Sequence, residues 1–363
     1  MVTSGEQAAT EAFVGRLFGA AVGAADLLSI YVGDKLGYYK SMAERGAATS
    51  PELAKRTKTH ERYAREWLEH QAVTGILTVD DAGLPALERK YSLPAAHAAA
   101  LVDPENPFSF SPVGKFVVAS AAMLPKVLDA FRAGGGVPWS DYGPDVVQAQ
   151  GDFNRPWILH QLGAEFLPSI PDIHKRLQAN PPARVADIAC GVGWAGIAIA
   201  KAYPKAVVHG YDLDALGIKA AKKNAADKGV SDRVTFHVKD VATLSPRQKY
   251  DLAIVIEAVH DLSQPVEVLA AIRRLLAPGG SLIVADERVA DAFAAPGGDI
   301  ERIMYGFSMF ACLPNGMADQ PSAGTGTVMR AGTLRTYATE AGFKNVQVLP
   351  IEHMMLRFYR LSP

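Results

Sequence analysis

The feature that most constrains the fold is an alternation of strand and helix patterns in the second half of the chain. The segments ARVADIA, AVVHGYDL, VTFHVKD, YDLAIVIEAV and SLIVADE are predicted as strands, and helical patterns separate most of them. Parallel strands need long crossover connections, which helices supply, so the alternation predicts a parallel sheet with helices on both faces. Near the end, KNVQVLPI and MMLRFYRL are predicted to pair as an antiparallel hairpin. The expected fold class is therefore α/β, with seven strands.

The first hundred residues are predicted to be mostly helical. Apolar residues at helical spacing predict one helix over residues 5–30 and a second over residues 27–42. Ser50, which proline and glutamate follow, is predicted to cap a short helix, and a longer helix is expected over residues 60–75. Two extended runs on either side of residues 81–83 predict a hairpin. This order of elements is typical of a winged helix-turn-helix module.

A pair of prolines, Pro181 and Pro182, marks the main domain boundary. The stretch before it is helical in pattern but is broken by three consecutive glycines and several prolines. We predict an all-helical, winged-helix-like domain over residues 1–95, a helical connector over residues 96–180 and an α/β domain over residues 181–363.

The charge balance argues against several classes of partner. Lysine and arginine total 37, aspartate and glutamate total 38, and the formal net charge is -1. This balance provides no field that would gather nucleic acid or an anionic membrane, so neither partner is expected. Cys190 and Cys312 cannot form a disulfide framework and lie in no zinc-binding spacing. The sequence begins without a signal-peptide pattern and has no long unbroken apolar run, so we expect a cytoplasmic protein.

A glycine-rich segment follows the first predicted strand of the α/β domain. It runs from Asp187 through Gly191 and Gly193 to Gly196 and leads directly into a helical pattern. Glycines permit a tight turn and the close approach of a ligand, and a helix N-terminus offers unpaired N–H groups. The spacing G-x-G-x-x-G, with Asp212 ending the next strand, matches a dinucleotide-binding pattern, but this pattern alone is weakly specific.

Acidic residues near the strand ends narrow the choice of ligand. Asp187 lies within the first strand, and Asp212, Asp240 and Glu257 end the second, third and fourth. Carboxylates would repel a pyrophosphate, whereas they suit a ligand that carries a cationic amino group, two ribose hydroxyls and an adenine amine. The pattern therefore favours a cationic adenosine derivative.

Together these features resemble the class I S-adenosylmethionine-dependent methyltransferases, whose domain is Rossmann-like with seven strands. The winged-helix module and the connector extend the resemblance to plant-type small-molecule O-methyltransferases and to bacterial winged-helix methyltransferases. The implied cofactor is S-adenosylmethionine. The resemblance places Asp187, Gly191 and Gly193 at its amino acid end, Asp212 on the ribose hydroxyls, Leu213, Asp240 and Val241 at the adenine, Glu257 as a further contact, and Phe153, within the segment 151–155, over the cofactor.

The resemblance also implies a general base. His260 and Asp261 follow the fourth strand, where the plant-type enzymes carry a His-Asp pair that deprotonates the acceptor. Histidine suits this step because its ordinary pKa lies near neutrality. That family orients the base with two carboxylates: one is expected here at Asp286 or Glu287, but the other would fall near residues 329–330, where there is none. We therefore expect a base held by one carboxylate, and no metal.

A segment rich in methionine and aromatic residues lies where that family places its acceptor. Such segments are more often core than pocket, but its position and the adaptability of methionine keep both interpretations open. The implied acceptor is small, apolar and aromatic, and is methylated at a hydroxyl oxygen. The candidate residues in this segment are Met304, Phe307, Met309, Phe310 and Asn315, and Tyr142, Phe153 and His160 are further candidates in the connector.

Two other functions stay open. A winged-helix transcription regulator would use the α/β domain as a sensor, but the helix over residues 60–70 carries two arginines against three glutamates, which disfavours phosphate contact. An NAD(P)-dependent oxidoreductase would use the same glycine loop. We expect that the N-terminal helices instead build a homodimer, because the alanine-rich first helix has no obvious partner in its own half of the chain.

Overall fold

The computed structural model describes residues 3–245, 247 and 249–363. These residues form two compact units, one running to Val118 and the other starting at Ala119. The division falls within the region predicted as the connector, and each unit has its own apolar core. The three domains predicted from sequence stay a prediction.

The first unit is helical apart from one short hairpin, as the sequence predicts. Its helices are α1 (Ser4–Lys35), α2 (Tyr38–Arg45), α3 (Ser50–Thr57), α4 (Glu61–Val73), α5 (Ala95–Leu101) and α6 (Pro112–Ala122), which crosses into the second unit, and its antiparallel strands are β1 (Thr78–Val79) and β2 (Tyr91–Ser92).

Two local predictions in this unit are wrong. The two helices expected over residues 5–30 and 27–42 have different bounds, because α1 continues to Lys35 and ends only before Gly37, whose φ of 68° breaks the helix. The cap of α3 is Thr49 rather than Ser50. Its hydroxyl accepts the N–H of Glu52, and the Glu52 carboxylate accepts the N–H of Thr49.

Helix α1 packs only at its C-terminal end. A Cβ atom on Gly33 would meet the Trp67 ring at 2.4 Å, and the Trp67 indole N–H donates to the carbonyl of Ser29 at 2.9 Å. Further toward the N-terminus, Phe13 and Phe18 are 50% and 71% exposed. By length and composition alone α1 is long and apolar enough to cross a membrane, although charged residues interrupt its apolar sequence. One such helix near the N-terminus is weak evidence, since signal sequences and core helices meet the same criterion.

The second unit is built on a mixed sheet with helices on both faces. Its strands are β3 (Arg184–Ile188), β4 (Val207–Asp212), β5 (Val234–Val238), β6 (Tyr250–Ile256), β7 (Leu276–Glu287), β8 (Asn345–Val348) and β9 (Leu356–Ser362), and its helices after α6 are α7 (Leu124–Ala133), α8 (Pro144–Trp157), α9 (Pro171–Gln178), α10 (Trp194–Ala202), α11 (Ala215–Asp227), α12 (Pro265–Leu275), α13 (Asp299–Phe307), α14 (Leu313–Gly316) and α15 (Ala331–Glu340). A π-helical stretch, Ile158–Phe166, continues α8, and a second one, Ser308–Cys312, joins α13 to α14.

The seven strands lie in the order β5-β4-β3-β6-β7-β9-β8. All neighbours are parallel except those of β9, which runs antiparallel to both β7 and β8. This confirms the predicted parallel sheet and the terminal hairpin. Alternate residues of β3 feed two apolar cores, with Val185 on one face and Ala186 and Ile188 on the other. The carboxyl ends of β3, β4, β6 and β7 meet at one edge, where ligands bind in open α/β sheets.

Candidate active site

The glycine loop follows β3 and turns on residues with positive φ. Ala189, Gly191 and Gly193 have φ values of 51°, 50° and 84°. A Cβ atom on Gly193 would approach the Phe236 ring to 2.5 Å, whereas one on Gly191 would meet nothing within 4 Å. The loop is therefore packed against the Phe236 ring at Gly193 and is open at Gly191, which leaves room for a ligand against the backbone.

Two acidic side chains tie this loop down through backbone hydrogen bonds. Asp187 is buried and accepts the N–H of Gly196, at the start of α10, at 2.8 Å. Asp212, at the end of β4, accepts the N–H of Gly191 at 2.7 Å and that of Asp214 at 2.8 Å. Burial raises the pKa of Asp187 to about 7 against the effect of the Gly196 N–H, and burial also raises the pKa of Asp212.

The residues predicted at the adenine lie at the neighbouring strand ends. Leu213, directly after Asp212, is 71% exposed. Asp240 is exposed and accepts the N–H of Ala242 at 2.8 Å, while Val241 beside it is buried. An exposed apolar side chain between two acids offers a surface on which a planar, polar-edged group can pack.

Helix α8 lies against the glycine loop. Gly151 approaches Val192 so closely that a Cβ atom there would meet the valine Cγ2 at 2.2 Å. Gln150 donates to Glu257 Oε2 at 2.5 Å, and Asn154 donates to the same oxygen. Burial raises the pKa of Glu257 to about 7, although the hydrogen bond from Asn154 opposes the shift. The acid predicted at the end of the fourth strand is thus held by α8.

His260 lies in a turn after β6 and is buried among three acids. Its Nδ1 is 2.6 Å from Asp286 Oδ1 and 3.0 Å from Glu287 Oε2, and its Nε2 is 3.4 Å from Asp261 Oδ1. Cys312 also lies beside His260 and Asp261. Burial alone would lower the pKa of His260, but the charges of Asp286, Glu287 and Asp261 raise it well above its usual value.

The number of carboxylates on His260 differs from the expectation. One of Asp286 and Glu287 was expected to face the ring, yet both reach Nδ1 although they are adjacent on β7. They share the face because β7 ends here, and the N–H of Glu287 turns back to Asp286 Oδ1 at 3.0 Å. The ring therefore has two carboxylate neighbours on β7, while near residues 329–330, where the second acid was expected, Arg330 pairs with Glu301 at 2.8 Å.

The residues predicted to bind the acceptor divide into two groups. Met304 is buried with Val289 and Met355 in a small apolar cluster, against which Phe153 and Phe307 pack. Phe153, predicted to lie over the cofactor, therefore joins the residues predicted for the acceptor. Met309 and Phe310 are 40% and 39% exposed on the π-helical stretch, which allows contact with a ligand.

Polar residues join this segment to the connector. Asn315 accepts the N–H of Trp139 at 3.0 Å, and the Tyr142 hydroxyl donates to the carbonyl of Phe310 at 2.8 Å. Asn315 also interacts with Asp261 and opposes the rise in its pKa that burial causes, which links the acceptor segment to the His260 cluster. His160 is exposed on the π-helical stretch that packs against α10.

Sequence reasoning missed Gln150 and Cys312 as site residues, and it gave Asn154, which lies within the segment 151–155, no role of its own. The signal for Gln150 and Asn154 was present, since two amides four residues apart lie on one face of a helix. No signal identified Cys312, because its proximity to His260 depends on how the segment after α13 folds back.

Comparisons with known proteins find similar domains in both halves of the chain. Residues 180–327 match a family described as a methyltransferase domain, and residues 24–103 match an Rv2258c-like winged HTH domain. Trans-aconitate 2-methyltransferase of Methylobacterium nodulans is 29% identical over 140 residues, which are 39% of this chain and 51% of that protein. Malonyl-[acyl-carrier protein] O-methyltransferase of Halalkalibacterium halodurans is 26% identical over 121 residues, covering 33% and 45%. The chain spans about half the length of the curated relatives it matches.

Solved structures match the whole fold. The mitomycin 7-O-methyltransferase MmcR superposes with a TM-score of 0.68 at 19% identity and covers 99% of both chains. Human N-acetylserotonin methyltransferase, solved with S-adenosylmethionine, has a TM-score of 0.69 at 16% identity and covers 96% of this chain and 97% of its own.

The sheet and the family match together identify residues 180–327 as a methyltransferase domain, the class of enzyme that uses S-adenosylmethionine as its cofactor. This chain joins such a domain to an N-terminal winged-helix domain, the combination that the sequence predicted.

Proposed function

We propose that this protein methylates a hydroxyl oxygen of a small, apolar, aromatic acceptor, with His260 as the general base. The observation that carries the proposal is the buried His260 ring, which Asp286 orients at the same sheet edge as the glycine loop. When bound, S-adenosylmethionine supplies an electrophilic methyl group. The residues of this chain bind the cofactor, orient the acceptor and remove its proton.

The described residues fit the cofactor. Gly191 is open to a ligand, and Asp212 retains oxygen lone pairs beyond the two backbone N–H groups it accepts, so it can take ribose hydroxyls. Leu213 and Val241 offer apolar surface, and Asp240 an acceptor, for adenine. Asp187 and Glu257 supply negative charge for a cationic amino acid end.

Proton removal follows from the orientation of the ring. With its Nδ1 hydrogen directed to Asp286 Oδ1, His260 carries its free lone pair on Nε2, which faces Asp261. A proton taken from a hydroxyl at Nε2 yields an imidazolium, which the negative charge of Asp286 stabilises. Because the pKa of His260 is raised, the neutral ring that accepts the proton is the minor form at neutral pH.

The apolar cluster of Val289, Met304 and Met355, with Phe153 and Phe307 against it, supports an apolar acceptor. Methionine adapts its shape to a bound group, and aromatic side chains stack on planar ligands. Met309 and Phe310 are further contacts in this proposal.

The test is transfer of a radiolabelled methyl group to a panel of phenols, carboxylic acids and amines. Labelled phenols are expected. Calorimetric titration with S-adenosylmethionine, with Asp212→Ala as the control, separates failure to bind the cofactor from failure to use the acceptor. Labelling of carboxylic acids or amines alone would contradict O-methylation of phenols.

We further propose a homodimer built through α1. Gly15, Gly19 and Gly23 share one face of this helix and would admit a Cβ with nothing within 4 Å, while large apolar side chains such as Phe13 and Leu17 line the other side. An exposed apolar surface of this length favours association. Removal of residues 1–24 is expected to give monomer or aggregate in light scattering, and a monomeric full-length protein at micromolar concentration would contradict the proposal.

In this proposal the winged-helix domain serves assembly rather than DNA binding. On α4, the helix that would read DNA, Arg62 pairs with Glu66, and Arg65 with Glu61 at 3.3 Å. These pairs leave the helix little positive charge for phosphates. A gel shift at low salt is expected to show no complex with duplex DNA.

A further inference from the structure

The cluster around His260 contains more carboxylate oxygens than hydrogens to bind them. The Nδ1 nitrogen is 2.6 Å from Asp286 Oδ1 and 3.0 Å from Glu287 Oε2, and its single hydrogen is donated to Asp286. Asp286 Oδ2 and Glu287 Oε2 are buried and have no hydrogen-bond partner among the described residues. Water has little access to them, because the two side chains are 1% and 7% exposed.

Two carboxylates in this setting cannot both be charged at low cost. Like charges in the interior repel strongly, and a buried acceptor without a donor loses its hydration. One additional proton removes both penalties, because it neutralises one acid and gives it a hydrogen to donate. We propose that Glu287 carries this proton and donates a hydrogen bond to Asp286. Glu287 is then a neutral positioning residue for the His260–Asp286 pair. The role of this proton in catalysis rests on the proposed function of His260 as the base.

The geometry assigns the proton to Glu287 rather than to Asp286. Asp286 Oδ1 has two donors, the His260 ring and the Glu287 backbone N–H, and both favour a charged carboxylate. Glu287 Oε2 has neither. The pKa directions agree: burial raises the pKa of Glu287 well above its usual range, while for Asp286 the positive His260 and the hydrogen bond from Glu287 outweigh burial and lower the pKa.

Other titratable groups surround the cluster, and none of those named here replaces the proton assigned to Glu287. Asp261 lies on the Nε2 side of the ring, and Arg357, the neighbour of Asp286 across β9, forms an ion pair with Asp291 at 2.9 Å. Within the described part of the chain, Glu257, Cys312 and Tyr359 are further titratable groups that interact electrostatically with His260 or Asp286.

The first test compares Glu287→Gln with the matched variant Asp286→Asn. The readout is the titration of the His260 ring followed by NMR on histidine-labelled protein, with His260→Gln to assign the signal. A neutral Glu287 predicts that Glu287→Gln moves the midpoint by less than about half a pH unit, whereas Asp286→Asn removes a charge and lowers it by about 1–3 units. An equal fall in both variants would show that Glu287 is a second anion and would overturn the proposal.

The second test is infrared spectroscopy. The result that would overturn the proposal needs only the wild-type protein, so it can be obtained even if the variants do not fold. The spectrum is recorded from about pH 7 to pH 9, because Asp187 and Glu257, with pKa values of about 7, lose their protons within this range. A carbonyl stretching band of a protonated carboxyl group is then expected in the infrared spectrum, and Glu287→Gln should remove it. Absence of the band in the wild-type protein overturns the proposal. Neither test uses an acceptor, so a failed methylation assay would contradict the proposed function and not this inference.

Discussion

Two groups of buried acids lie at the same edge of the sheet and are held in opposite ways. In the glycine loop, backbone N–H groups bind the carboxylates of Asp187 and Asp212. Around His260, two carboxyl groups compete for one ring hydrogen, and each has a buried oxygen without a partner among the described residues. Backbone donors fix the place of a charge, as ligand binding requires. A shared proton lets charge move, as acid–base chemistry requires.

The largest effect is expected from breaking the second group alone. His260→Ala should lower turnover by about 10²–10⁴-fold, the usual contribution of a general base. The affinity for S-adenosylmethionine should barely change in calorimetry, because the loop acids depend on backbone donors and not on the ring. Near-normal turnover of the variant on the best acceptor would contradict the role of the base, and His160 would be the next candidate.

Breaking the first group should have the complementary effect. Asp212→Ala removes a charged acceptor of ribose hydroxyls, worth about 1.5–3 kcal/mol, and should weaken cofactor binding by roughly ten- to a hundredfold in calorimetry. Asp232→Ala is the matched control, since Asp232 is exposed and pairs with Arg233. Unchanged affinity in Asp212→Ala would refute its place at the cofactor.

The two groups should also respond to pH in separate ranges. Asp187 and Glu257 have pKa values of about 7, so affinity for a cationic ligand should rise as pH rises through that value. The rate at saturating cofactor should rise about tenfold per pH unit until the pH reaches the raised pKa of His260, because only the neutral ring accepts a proton. A rate profile that levels off below pH 6.5, the ordinary value for histidine, would contradict this order.

The smallest effect is on stability. Burial raises the pKa of Asp187 from 3.8 to about 7, so the folded state prefers the protonated acid and loses stability as pH rises between these values. Asp187→Asn cannot ionise and still offers an acceptor to Gly196. Above pH 7 its Tm should exceed that of the wild type by about 2–4 °C for each kcal/mol of unfolding free energy that the ionised Asp187 removes from the wild type. The difference should vanish in acid. A lower Tm at pH 8 would contradict the argument.

The glycine loop and the strands were predictable because their signals are local. The loop lies within ten residues, and each of the seven strands falls in a short segment that was predicted as extended from its own sequence. The His260 cluster was predictable only in part. Resemblance indicated one carboxylate from β7, but the turn that brings Glu287 to the same ring depends on the geometry at the end of that strand.

Contacts between distant segments could not be predicted from local patterns. Glu257 and Asn154 are 103 positions apart, and no periodicity relates them. The same holds for Asn315 and Trp139, which are 176 positions apart. Such contacts depend on where whole helices pack. Local sequence patterns therefore indicate which types of residue a site contains, but not which residues contact each other.

The antiparallel pairing of β7 with β9 has a consequence for synthesis of the chain. Glu287 lies opposite Leu356, so the strand that carries Asp286 and Glu287 gains its second neighbour only when residues 356–362 have left the ribosome. At about 5–20 residues per second, β7 waits several seconds with an open edge. Open edges recruit strands from other chains. The strand that carries these acids is therefore a point at which nascent chains are exposed to misassembly, and protection by chaperones would matter there.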